Sequence, residues 1–282
     1  MQVEEFVAVQ VARNRSKKTL TNYRQVVGRS WVAFCLARGI NDVAQYKLAH
    51  HAVWLSQLQE KGLKGTTIDL YNTLVRVFTA WCAKQEYITR NPLEDFDRSA
   101  SEKPLPKALP WSILEEHIGL VKSRYRIVVL RDRFLIRLLA YTGLRLGESL
   151  SLRRVDVDLK QRQVRLENTK GREATWQPFP EKLLPYLEEW VEASYREWPN
   201  SEWLLPSRTG GAMPTYEIQR AFKRYGIATP HVYRHTNATY LLEQGAGLRE
   251  VQVMLRHKNV QTTIRYLKIV DQRRRAIANF IK

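Results

Sequence analysis

The chain has 282 residues, 44% of them hydrophobic, enough to bury substantial cores in one to three domains. Its 46 Lys and Arg outnumber 28 Asp and Glu, and the net charge of +18 favours a polyanionic partner, because cations that neutralise phosphates release condensed counterions. No apolar run reaches the ~18 residues that a spanning helix needs. The start Met1-Gln2-Val3-Glu4-Glu5 is unlike a signal peptide, and the two cysteines, Cys35 and Cys82, read as free thiols of a reducing, cytoplasmic compartment.

The first elements are helical. Apolar residues recur at three-to-four spacing through Phe6, Val7, Val9 and Val11, and again from Tyr23 through Val26, Val27, Trp31, Phe34 and Cys35. A third series runs through Val53, Trp54, Leu55 and Leu58, and a fourth from Ile68 through Leu74, Phe78, Trp81 and Cys82. Ser16 and Thr66 are start signals, Gly39 and Gly62 are stops, and Asn91-Pro92 ends the fourth helix. A four-helix module over residues 1–98 follows, its aromatics on the helical period and so read as core rather than as base-stacking platforms. Across residues 99–110, Pro104, Pro106 and Pro110 block helix continuation and favour extended backbone, which marks a linker. Residues 1–98 carry a net +5 and the remainder +13, so any nucleic acid is expected to touch both parts.

Residues 111–282 open with helices around Trp111–Lys122 and Arg126–Tyr141. Three short strands are predicted at Val155–Leu159, Gln163–Glu167 and Ala174–Phe179, with turns at Lys160–Arg162 and Thr169–Arg172. Helices resume at Glu181–Tyr195, Thr215–Tyr225, His231–Gln244 and Leu248–Leu255. Two more are expected after them, one carrying Tyr266 and one at the C-terminus, with Asn259 or Thr262 as the cap of the first.

Within this second part lie groups suited to phosphodiester chemistry. Arg145 sits in Thr142-Gly143-Leu144-Arg145-Leu146-Gly147-Glu148, at a helix start whose free N–H groups also favour an anion. Arginine fits that task because its planar fork binds two phosphate oxygens and stays protonated. Read alone, it is more simply a helix-start arginine paired with Glu148. His231, Arg234 and His235 follow the start signal Thr229-Pro230 and share one helix face. Lys170 occupies a Lys-Gly turn between two strands, the place of a solvated hairpin tip or of a mobile proton donor. Tyr266 follows His257 by nine residues. A phenol with a pKa near 10 is only about 0.1% ionised at neutral pH, so neighbouring cations or a base must activate it. Two arginines, two histidines, a turn lysine and a tyrosine, without clustered carboxylates, point to cationic phosphoryl transfer with a tyrosine nucleophile. The specificity lies in the conjunction.

In order and wording these segments resemble the tyrosine recombinase family (phage integrase, Xer-like). Its pattern is an arginine in a TGLR-type segment, a lysine in a β-hairpin turn, an H-x-x-R box, an L-G-H segment and a tyrosine nine residues later. The resemblance implies a mainly α chain with the DNA breaking-rejoining enzyme fold. It implies an N-terminal core-binding (SAM-like) domain over 1–98 and an α+β catalytic domain over 111–282 with a small three-stranded antiparallel sheet. It further implies that Arg145 and Arg234 clamp a scissile phosphate and that Lys170 protonates the 5′ oxygen. His231 would act in proton transfer with Tyr266, His257 would hydrogen-bond the phosphate, and Tyr266 would form a 3′-phosphotyrosyl linkage with no cofactor. The expected partner is double-stranded DNA bearing specific recombination sites, held by a homotetramer in which a C-terminal helix with Ala276, Ile277, Phe280 and Ile281 is donated to a neighbour or docks in cis. Two positions depart from the pattern. Arg256 stands for the usual glycine before His257, adding a cation or altering the loop. Tyr233 stands for the usual leucine before Arg234 and brings a hydroxyl that needs a partner if buried. Three other readings stay open at this point: a DNA-binding protein on the same scaffold without catalysis, a type IB topoisomerase, and, least favoured, a metal-dependent nuclease.

Overall fold

A computed structural model describes residues 2–96, 105–168, 172–257 and 259–278, which fall into two compact units, Met1–Pro104 and Leu105–Lys282. The first unit is helical: α1 (Val3–Ala12), α2 (Lys17–Tyr23), α3 (Val32–Leu36), α4 (Leu48–Glu60) and α5 (Gly65–Lys84). Ser16 caps α2 by accepting the Thr19 N–H at 3.2 Å. The helical path of α2 continues into α3 through a π-helical stretch, Arg24–Trp31, whose wider turn was not legible in the periodicity. Gly39 and Gly62 end α3 and α4 with φ of 70° and 75°, a left-handed conformation that glycine adopts without steric cost. Phe6, Trp31 and Phe78 meet edge to face in the centre, at centroid distances of 5.3 Å (Phe6–Phe78) and 5.4 Å (Trp31–Phe78). The aromatics of this unit thus form core, as their period predicts.

The second unit starts with α6 (Ile113–Gly119), α7 (Arg126–Thr142) and the short α8 (Leu146–Leu150). A three-stranded antiparallel sheet follows, β1 (Val157–Asp158), β2 (Gln163–Asn168) and β3 (Arg172–Pro178), in that order. Val164 pairs with Gln177 and Arg165 with Trp176. The first strand is shorter than predicted. Asp156 Oδ2 accepts the Arg153 N–H at 2.8 Å and bends residues 154–156 into a 3₁₀ turn, leaving Val155 86% exposed outside the ladder. The chain then forms α9 (Leu184–Glu197), α10 (Thr215–Tyr225), α11 (Pro230–Glu243), α12 (Leu248–Met254) and α13 (Val260–Ala278). Where two terminal helices were expected, α13 is continuous, since no Gly or Pro interrupts residues 260–278. Asn259 Oδ1 accepts the Gln261 N–H at 2.8 Å at its start.

Phe134, Leu135, Leu139, Leu183, Trp190 and Phe222 form the main core of this unit. The central α11 packs on α7 on one side and on α13 on the other. Asn237 Nδ2 pins α11 to α7 by donating to the Ala140 carbonyl at 2.7 Å. Residues 105–109, read as part of the linker, lie on this unit: the Leu109 N–H donates to Thr236 Oγ1 at 3.0 Å, and Leu105 and Ala108 pack against the apolar cluster that contains Tyr266 and Ile269. Linker residues 99–104 and the hairpin tip 169–171 lie outside the described residues, as do Phe280 and Ile281 of the expected C-terminal stripe. No helix of the described residues is long and apolar enough to cross a membrane.

Candidate active site

The site grows from three turns brought together by the packing of α7, α11 and α13. The first ends α7. Gly143 takes φ of 65°, its N–H closes on the Leu139 carbonyl at 3.0 Å, and the chain re-enters helix at α8 with Arg145 as the preceding residue. Side chains leave no room for anything but glycine here. A Cβ on Gly143 would lie 2.5 Å from Leu255 Cδ2 and 2.8 Å from Asn237 Oδ1. The Arg145 guanidinium pairs with Glu148 at 2.6 Å, and the Arg145 N–H donates to the other Glu148 oxygen at 2.8 Å. The helix-start pairing considered from sequence therefore exists, and it coexists with a location among the other candidate groups.

The second piece is the N-terminal turn of α11, set by Pro230. Arg234 is 4% exposed, and its guanidinium donates to the Gly143 and Leu255 carbonyls. Arg145 Nη2 reaches the next carbonyl, that of Arg256, at 3.5 Å. Both guanidiniums thus reach the same turn, at the adjacent carbonyls of Leu255 and Arg256. Burial, and then the neighbouring Arg145, draw the Arg234 pKa down to about 10, still high enough for a cation at neutral pH. His231, although exposed on one side, has its pKa lowered by partial desolvation, then by Arg234 and Arg145.

The third piece is the turn between α12 and α13 with the first turns of α13. His257 Nδ1 meets Thr263 Oγ1 at 2.9 Å, and its ring stacks on Tyr266 at 12° and 6.1 Å. Burial followed by Arg234 and Arg145 brings His257 down to about 4, so the imidazole is neutral at physiological pH. Tyr266 is 1% exposed; burial raises its pKa, and Arg234, Arg265 and Arg145 work in the opposite direction.

Its hydroxyl lies 2.7 Å from Nδ1 of His235, a residue noted in the sequence only as sharing the face of His231 and Arg234. Burial, then His231 and Arg234, push His235 to about 4, so this imidazole too is neutral and can accept the phenolic hydrogen. The spacing of His235 one residue after Arg234 was visible, but only the crossing of α11 and α13 places it against the phenol.

Arg145, His231, Arg234, His257 and Tyr266 are therefore gathered in one region, whereas Lys170 falls outside the described residues. Both departures from the family pattern have local explanations. Arg256 adopts φ of 52°, the conformation that glycine would supply at no steric cost, so the loop keeps its path despite the side chain. The Tyr233 hydroxyl finds its partner in His117 Nδ1 at 2.9 Å. Among the described residues no group of His, Cys, Asp or Glu is arranged to hold a metal ion.

Comparison with known proteins places this arrangement. Residues 122–273 match the model of the phage integrase family, and residues 3–86 match the phage integrase N-terminal SAM-like domain. The chain is 30% identical over 264 residues to tyrosine recombinase XerC of Actinobacillus succinogenes, covering 90% of this chain and 88% of that one. It is 29% identical over 274 residues to tyrosine recombinase XerC of Bacillus subtilis, covering 93% and 89%. Among solved structures, a post-cleavage complex of the XerH site-specific recombinase bound to palindromic difH substrate has a TM-score of 0.78 at 22% identity, over 98% of this chain and 83% of that one. A lambda integrase (75–356) dimer bound to a COC′ core site has a TM-score of 0.72 at 18% identity, over 93% of each chain.

Proposed function

The chain belongs to the phage integrase family and is a tyrosine-type site-specific DNA recombinase, and from that premise we propose that Tyr266 is its nucleophile and Arg145 and Arg234 its phosphate clamp. The observation that carries this assignment is the convergence of the two guanidiniums on the carbonyls of Leu255 and Arg256, beside the enclosed phenol. Two fixed cations facing the nonbridging oxygens stabilise the charge that grows on them in the transition state.

The Tyr266 oxygen attacks phosphorus in line, the bond to the 5′ oxygen breaks, and the phenolic proton passes to a neutral imidazole. His231 is the acceptor that the family pattern supplies, while His235 holds the hydroxyl beforehand. Lys170 protonates the departing 5′ oxygen. His257, with Nδ1 engaged by Thr263, offers Nε2 to the phosphate. The product is a 3′-phosphotyrosyl bond and a free 5′ hydroxyl. A phosphodiester is exchanged for a phosphodiester, so the hydroxyl of another strand reverses the step without a metal or nucleotide. Since Tyr266 is 1% exposed, the phenol must turn outward before it reaches phosphorus.

The substrate is double-stranded DNA with specific recombination sites in the cytoplasm of a prokaryotic cell. Residues 1–98 grip it as a core-binding module, the linker read at 99–110 is narrowed to 99–104 because 105–109 pack on the second unit, and 111–282 cut and rejoin. The active assembly is a homotetramer on paired sites, with the segment after Ala276 engaging a neighbour. Deletion from Ala276 onward then weakens assembly on DNA, read by native gel mobility; unchanged tetramers argue against donation.

The central test is covalent trapping. Detergent-resistant protein–DNA adducts are recovered from cells making the chain, the joined DNA is sequenced, and a nicked suicide duplex is built on the recovered site. The wild-type chain accumulates a 3′-linked adduct and Tyr266→Phe accumulates none. Equal adduct from Tyr266→Phe would overturn the assignment.

A further inference from the structure

Of the two departures from the family pattern, Arg256 is the one whose side chain pairs with a neighbour of the candidate clamp. It occupies the left-handed region at φ of 52°, where a Cβ costs free energy that glycine avoids. Strain kept at such a position calls for a compensating role.

Its guanidinium is not directed to solvent. Nη2 meets Glu148 Oε2 at 2.7 Å, and Nη1 donates to Gln177 Oε1. The other Glu148 oxygen, Oε1, is held by Arg145 Nη1 at 2.6 Å. A single carboxylate thus serves two guanidiniums. Gln177, on β3, donates in turn to the Thr142 carbonyl at 3.2 Å and to Met254 Sδ at 3.4 Å. Arg256 therefore joins the turn that carries Arg145, the strand leaving the hairpin of Lys170, and the turn that leads into His257.

Without Arg256, Glu148 Oε2 would keep only the Arg145 N–H that it already accepts at 2.8 Å, and its freed lone pair would favour a second guanidinium donor of Arg145 in a two-pronged, parallel pairing, the strongest arrangement a guanidinium and a carboxylate form. Such a pairing would satisfy the donors of Arg145 and neutralise it. We propose that Arg256 is a positioning residue for strand cleavage, which occupies Glu148 Oε2 and so leaves the Arg145 fork with donors and net positive charge for the scissile phosphate. This rests on the cleavage reading above and deepens it: the residue acts through Glu148, without touching DNA.

The test is a double-mutant cycle in single-turnover cleavage of the nicked suicide duplex, with DNA binding measured in parallel and yields normalised to folded protein. Arg256→Gly restores the residue best suited to the backbone, so it is expected to fold. It is expected to slow cleavage about 10- to 100-fold while changing the DNA dissociation constant less than about 3-fold. Arg256→Lys, a point charge able to reach Glu148 but not both partners, recovers part of the rate. In a Glu148→Gln background, where the carboxylate charge is gone, Arg256→Gly changes the rate less than about 3-fold. Cleavage by Arg256→Gly at the wild-type rate overturns the proposal. So does an equal loss in both backgrounds, which would mean that Arg256 acts on the phosphate directly. A wild-type chain that forms no adduct removes the cleavage reading and this proposal with it, whereas a cleaving wild type leaves the two separable.

Discussion

Replacing Gly143 by alanine probes the turn on which both candidate clamp residues depend. Two costs add at this position. The backbone sits at φ of 65°, where an L side chain loses about 1–2 kcal/mol relative to glycine. The new methyl would also lie 2.5 Å from Leu255 Cδ2 and 2.8 Å from Asn237 Oδ1. Neither neighbour can retreat freely: Leu255 is fully enclosed, and Asn237 is pinned to the Ala140 carbonyl. Forcing a methyl into a packed site of this kind costs about 1–3 kcal/mol more. The expected destabilisation is therefore about 2–5 kcal/mol, which for a unit of this size lowers its melting transition by roughly 4–20 °C. Calorimetry or urea unfolding followed by tryptophan fluorescence measures it. Because the Gly143 carbonyl accepts from Arg234 and the turn sets the position of Arg145, cleavage should fall further than the loss of folded protein explains. A destabilisation below about 1 kcal/mol, or full activity in the folded fraction, would show that the turn adapts and that the close approach has no consequence.

Stability should depend on pH through two half-buried histidines of the site. His235 and His257 are both held near 4 when folded, whereas an unfolded histidine binds its proton near 6.5. The unfolded chain thus binds more protons between those values, so the stabilisation is complete above pH ~6.5 and is lost as pH falls toward 4. With allowance for partial solvent access, roughly 2 kcal/mol per histidine is at stake. Urea midpoints at pH 7 and 4.5 measure this, and a His235→Asn/His257→Asn variant with an undiminished pH dependence would refute the attribution. Arg234→Lys cannot bridge the Gly143 and Leu255 carbonyls with the same planar fork; it should cost about 2–3 kcal/mol and lower adduct formation by about 100-fold or more. Wild-type adduct rates from that variant would count against a two-arginine clamp. Tyr233→Phe removes only the hydroxyl bonded to His117, for a loss of about 1 kcal/mol with cleavage nearly unchanged; a large drop in cleavage at intact stability would assign Tyr233 a chemical role.

Much of the architecture follows from short-range rules. The four apolar series of residues 1–98 fold as helices around Phe6, Trp31 and Phe78, because the helical period alone sets which side chains face inward. The strands about residues 157–178 follow from alternation and turn residues, and Pro230 opens α11 as its fixed φ requires. The identities and order of Arg145, His231, Arg234, His257 and Tyr266 likewise named a chemistry before any geometry was known. What the linear chain left open depends on contacts between residues far apart in it. Two local features escaped the periodicity as well, the π-helical stretch at Arg24–Trp31 and the short β1 beside an outward Val155, whereas the single α13 was legible in principle, since no Gly or Pro breaks residues 260–278.

The partner of the Tyr266 hydroxyl is the clearest case. His231 and His235 lie on one face of α11, and nothing in their spacing selects between them. The crossing of α11 and α13 does, by bringing His235 Nδ1 within 2.7 Å. In the same way Arg256 looked from sequence like one more cation for a phosphate, yet tertiary packing turns its guanidinium to Glu148 and Gln177. Residue types determine which reactions a chain can attempt, because charge, nucleophilicity and backbone freedom belong to single residues. Which groups act on one another is decided only by the folded chain, because hydrogen bonds and ion pairs depend on distances that the packing of remote segments sets.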